Sequence, residues 1–125
     1  MRTTLATANY KKLWENSNPT SSFAAQTLTL TGMSDYSYVL IWCETYTAKG
    51  TQIYDYHETF TIVRQGCKGI VSSFGEEGSY ATQRGFYVNG DKLQIEVGKY
   101  AGTYGGLLFN TNNCLVPMWV IGMDI

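Results

Sequence analysis

The chain is short of charge, of proline and of the side chains that bind metals, and each shortage argues against a class of function. Nine basic and ten acidic residues make up 15% of its 125 residues and leave a formal charge of -1, where a typical domain is about 25% charged. A nucleic-acid binder would carry a clustered excess of Lys and Arg, so nucleic acid is not an expected partner. The same balance removes the polybasic route to a membrane surface, and no apolar run approaches the roughly 18 residues of a span. Met1 to Tyr10 has one arginine and no apolar stretch, so no signal peptide is expected. One histidine and three cysteines, Cys43, Cys67 and Cys114, supply no metal-ligand spacing and no C-x-x-C pair. An odd, scattered set of thiols fits a reducing compartment and a structural or inert role. With only two prolines, helices are not broken by proline here. They are unsupported because no window keeps an i, i+3, i+4, i+7 apolar period.

What is abundant points to β-structure. Ten tyrosines and many threonines are strand formers, and thirteen glycines supply turns between short strands. Residues 1–9 read as a flexible lead-in and 10–125 as a single domain. Lys11–Glu15 suggests a first strand, and Asn16–Ser22 a loop of turn formers. Ala25–Thr31 alternates, with Leu28 and Leu30 on one side. Ser37–Thr47 is apolar on both faces, which predicts a central strand. Gln52–Arg64 and Lys68–Phe74 follow. Ser79–Asn89 and Lys92–Gly98 form the clearest hairpin. A Gly90–Asp91 loop sets Val88 against Leu93 and Phe86 against Ile95, and this apolar register is preferred to the alternative Asn89–Gly90 loop. Tyr100–Gly106 reads as a loop. Pro117 confines the start of the last strand, Leu115–Ile125, to an edge or a bulge. About eight short strands describe an all-β fold, an antiparallel β-sandwich or jelly-roll-like single domain.

Catalytic signals are thin. Asp55 and His57 share a strand face beside Glu58, but no serine or cysteine stands in a nucleophile elbow such as G-x-S-x-G. Glu44, Glu58 and Glu96 lie in expected strands and could face one another across a groove, as a glycosidase requires. Asp35, Asp55 and Asp91 form no calcium loop, and Gly105–Gly106 lacks the lysine and helix of a phosphate cradle. The expectation is no enzyme, no cofactor and no metal. Aromatics are the remaining signal. Tyr36, Tyr80, Tyr100 and Tyr104 fall in or beside expected loops, where a ring and hydroxyl suit a glycan or a protein partner. Tyr100 and Tyr104 flank Ala101–Gly102–Thr103, and Thr103 could add a hydrogen bond to a sugar.

Three stretches carry a resemblance. Leu13–Thr27 follows the pattern L-W-x-N-x-x-P-x-x-x-F-A-A-Q-T. Asp35–Ile41 supplies an S-x-Y strand, and Asn112–Gly122 an ending that contains Pro117, Ile121 and Gly122. Together they resemble small tail-associated proteins of phages and prophages of Gram-positive and gut bacteria, from Leu13 onward. The resemblance implies a virion protein of the tail tip, baseplate or fibre, made in the host cytoplasm and contributing to host attachment. Its implied partners are copies of itself, most often as a trimer, other tail proteins and a host-surface glycan. The family carries no assigned catalytic residue. The alternatives are a stand-alone carbohydrate-binding module and, last, a small hydrolase of cell-wall glycan. Trp14 and Phe23 bracket a turn that would fold the first two strands onto one core, with Asn16 and Asn18 bonding turn backbone.

Overall fold

The computed structural model describes residues 9–19, 21–44, 58–74, 80–102, 108–112 and 114–124. Among the described residues ten strands run in chain order: β1 (Asn9–Glu15), β2 (Gln26–Thr29), β3 (Tyr38–Glu44), β4 (Glu58–Arg64) and β5 (Lys68–Phe74), then β6 (Tyr80–Asn89), β7 (Lys92–Ile95), β8 (Lys99–Gly102), β9 (Leu108–Asn110) and β10 (Val116–Asp124). A 3-10 turn, Met33–Asp35, precedes β3. Every described strand pairing is antiparallel. The first sheet has the order β1-β10-β3-β4. In the second, β5 covers one side of β6, while β7 and β8 lie end to end along the other. β2 then flanks β7, and β9 flanks β8.

The two sheets form a β-sandwich because period-2 alternation turns one apolar row of each sheet inward. Val39, Ile41 and Cys43 of β3, Val63 of β4 and Val120 of β10 meet Val71 of β5, Phe86 and Val88 of β6, and Leu93 and Ile95 of β7. Each such aliphatic side chain contributes about 1.5–3 kcal/mol on burial. Leu30, Met33 and Leu115, from the connections, close the core.

Several local expectations are met. The β6–β7 hairpin has the apolar register, Val88 against Leu93 and Phe86 against Ile95, with Gly90 at φ 63. Gln65 holds this hairpin in place: its side-chain amide donates to the Gly90 and Met33 carbonyls and accepts from the Gly90 N–H. Asp91 accepts from the Ser34 N–H at 2.8 Å, a bond that lowers its pKa. β3 is central, between β10 and β4. Pro117 sits beside a bulge, as a residue without an N–H must in an inner strand. Its carbonyl accepts from the Asn16 side chain, whose oxygen in turn accepts from the Asn18 N–H. Trp14 and Phe23 meet edge-to-face at 5.7 Å.

Two expectations need correction. The first strand begins at Asn9, so that residue is part of the sheet, paired with Asp124, and not of a lead-in. Residues 1–8 lie outside the described ones. Tyr100–Gly102, expected as loop, belongs to β8. β7 leaves the edge of β6 at Ile95, and Lys99–Gly102 takes up pairing with Tyr80–Gln83. Eight of the ten residues of β6 thus find partners in two short pieces, four in each, separated by Glu96–Gly98.

The thiols differ in access. Cys43 and Cys114 are buried and Cys67 is exposed. Burial raises the Cys43 pKa and pushes that of Cys114 up to about 11, so neither is a thiolate nucleophile near neutrality. A soluble thiol reagent at mildly alkaline pH is therefore expected to modify Cys67 alone in the folded protein and all three cysteines in denaturant. Equal labelling of the three in the native state would contradict the burial.

Candidate functional site

Of the tyrosines singled out from the sequence, Tyr36 lies apart from Tyr80 and Tyr100, which stand on the neighbouring strands β6 and β8. Tyr36 follows the 3-10 turn, near the β6–β7 hairpin end of the sandwich. Its ring lies on Gly122 of β10, where a Cβ would come within 2.5 Å of it. Tyr80 opens β6 at the other end, paired with Gly102. Tyr100 is half-buried and pairs with Thr82, so the two side chains share the inward face of their strands. Thr103 and Tyr104 lie outside the described residues, as do Asp55 and His57. Glu44 and Glu58 are direct cross-strand partners on the outer face of the first sheet. Glu96 lies on the outer face of the second, across Gly85, with a carboxylate oxygen 2.9 Å from the Lys68 ammonium. The three glutamates therefore do not line one groove. Among the described residues no cluster of three or more His, Cys, Asp or Glu could hold a metal, and no helix is long and apolar enough to cross a membrane.

Two shallow clefts flank the Glu96–Gly98 break. The larger, about 510 Å³, opens where β2 meets β7 and is lined by Gln26, Thr27, Gln94 and Lys99. The smaller, about 110 Å³, lies over Gln83 and Gly85 and shares Glu96, Val97 and Lys99 with the first. Their polar lining offers hydrogen bonds but sets no nucleophile beside a base.

Beneath this break lies a residue that the sequence reading passed over. Arg84, 1% exposed, points inward from β6. Its guanidinium donates to the carbonyls of Glu96 (2.8 Å), Cys114 (3.2 Å) and Phe23, and stacks 5.8 Å from the Phe23 ring. Burial lowers its pKa to about 10, so it stays charged at neutral pH. The signal was present in the pattern: counting back by two from Val88 and Phe86 reaches Arg84 on the inward face.

The most distinctive surface is the outer face of the first sheet, which is apolar along the middle of β4, β3 and β10 and bordered by charge on β1. The register sets side chains in rows. Phe60, Trp42 and Trp119 align and end at Glu15. Ile62, Leu40 and Ile121 end at Lys12. Arg64, Tyr38 and Met123 end at Tyr10. Tyr10 is 72% exposed, Phe60 51%, Ile62 44% and Trp119 38%. Those four alone expose ~400 Å², taking roughly 200 Å² for a full side chain, already the size of the largest patch on an ordinary monomer. The rings pack on one another. Phe60 stacks on Trp42 at 5.7 Å and 9°, and Trp119 leans on Trp42 at 6.1 Å and 47°. Lys12 lies 6.0 Å over Trp119 and 2.6 Å from Glu15, whose pKa its ammonium lowers.

The sequence of β3 is apolar on both faces, which predicts a central strand. It is central, and its second face remains open to solvent in the single chain. Compared with known proteins, the chain matches no family model and no curated protein.

Proposed function

We propose that the chain is a structural subunit of a phage virion, in the tail tip, baseplate or fibre, that contributes to host attachment by assembling with itself and with other tail proteins. The observation that carries this reading is the apolar outer face of the first sheet. A lightly charged domain that exposes such a face to water gains by covering it with protein. The stretches that resemble tail proteins add support, because they contain the end of β1, the first half of β3 and most of β10, parts of three of the four strands of this sheet. A carbohydrate-binding module is less well supported. Sugars stack on free ring faces, and Trp42 turns its faces to Phe60 and Trp119.

Antibodies raised against the recombinant protein test the reading on tailed particles from a strain that carries the gene. Gold label at the tail end is the expected result. Purified particles that lack the protein would overturn the virion assignment. Glycan-array binding lost on Trp119→Ala would instead favour the carbohydrate-binding module.

A further inference from the structure

The charges around this apolar face are arranged so that the face is complementary to itself. On β4, Glu58, Phe60, Ile62 and Arg64 are all exposed and project on the same side, acid at one end, base at the other and apolar between. On β1, Glu15 ends the row of Trp42 and Lys12 ends the next row, that of Leu40. We propose that the face binds a second copy of this chain across a two-fold axis that lies in the face, perpendicular to the strands, between those two rows. The proposal rests on the reading of this face as an assembly surface.

Such an axis lays each strand over its counterpart with direction reversed. Arg64 then faces Glu58 of the second copy, and Glu58 faces its Arg64. Lys12 faces Glu15, so the edge along β1 presents alternating charges. The row of Trp42 meets the row of Leu40, so ring edges pack against aliphatic side chains. A two-fold axis parallel to the strands lays β1 over β4 and sets Glu15 on Phe60 and Lys12 on Ile62, with the cost of burying charge against apolar groups. Face-to-face sheets tolerate the roughly 30° rotation their twist demands. Half-buried Tyr38, Leu40, Trp42, Ile121 and Met123 extend the exposed rings toward the ~800 Å² per partner of a stable interface.

Charge reversal tests both the face and the axis. Light scattering of the intact protein is expected to give about twice the chain mass of 14.0 kDa. Glu58→Arg and Arg64→Glu each create two repulsive contacts per dimer and are expected to weaken it about tenfold or more. The double variant E58R/R64E restores both pairs and is expected within about threefold of the parent. Ile62→Asp, beside the axis on β4, is expected to give a folded monomer by circular dichroism. A trimer, or a dimer indifferent to the charge reversals but lost with Ile62→Asp, overturns the two-fold arrangement and leaves the face as an assembly surface. An oligomer that survives Ile62→Asp overturns that surface as well. A monomeric parent overturns self-pairing, and the tail-end gold label then decides whether another tail protein covers the face.

Discussion

Replacing Arg84 by alanine is expected to lower stability by about 3–5 kcal/mol and the melting temperature by roughly 10–20 °C. The guanidinium is solvated by main-chain carbonyls from three separate connections: Phe23 ahead of β2, Glu96 in the break between β7 and β8, and Cys114 before β10. None of these segments is regular, so their carbonyls have no ladder to bond into, and an unsatisfied buried acceptor costs about 1–3 kcal/mol. Alanine removes the donors and leaves a cavity. Burial lowers the pKa of this cation, so its protonation opposes folding below about pH 10, and the opposition fades as pH rises above that value. The carbonyl bonds offset that cost in the neutral range. Arg84→Lys keeps the charge but cannot reach three carbonyls with a planar fork, so an intermediate loss is expected. Arg84→Met fills most of the volume without a donor and separates packing from hydrogen bonding. Urea melts of the three variants measure the series. A loss under about 1 kcal/mol for alanine would mean that water replaces the guanidinium and the residue organises nothing.

The second large effect is graded over three glycines. A Cβ at Gly98 would strike the backbone carbonyl of Thr111 and sit 3.0 Å from that of Cys114. Thr111 also donates its N–H to the Gly98 carbonyl at 2.7 Å, so the two segments are bound together and neither can retreat. Gly98→Ala is expected to cost about 3 kcal/mol. At Gly122 the obstacle is the ring of Tyr36, which can slide outward from a half-buried position, and about 1–2 kcal/mol is expected. At Gly85 it is the Glu96 carboxylate, the end of a flexible side chain in an exposed ion pair with Lys68. There the loss of a surface pair and the reduced freedom of the unfolded chain nearly cancel, to within about 0.5 kcal/mol. The order Gly98, Gly122, Gly85 is the test. Equal losses would mean that strand propensity, and not the neighbours, sets the cost.

What could be read from the sequence was what alternation and turn chemistry dictate locally. Val88, Phe86, Leu93 and Ile95 fix the hairpin register because a one-residue slip of either strand would turn its apolar pair outward. Pro117 announces its bulge because it has no N–H. β8 was hidden because Lys99–Tyr100–Ala101–Gly102 has no pattern of its own; the free edge of β6 recruits it. Arg84 escaped because a cation inside a sandwich is stable only when distant carbonyls converge on it, and sequence spacing does not show convergence. Tyr36 shows the same limit: beside a turn it reads as exposed, yet a glycine 86 positions later makes the seat for its ring.

The pairing of Asn9 with Asp124 has a mechanical consequence. The two ends of the described sandwich leave side by side, on neighbouring antiparallel strands. Tension applied between them would load the β1–β10 hydrogen bonds one pair at a time, as a zipper opens, and not all together in shear. In an assembly held by both ends the sandwich would therefore hang as a pendant on the line of force, and a pull along that line would strip β1 from β10 while β3 to β9 kept their pairing.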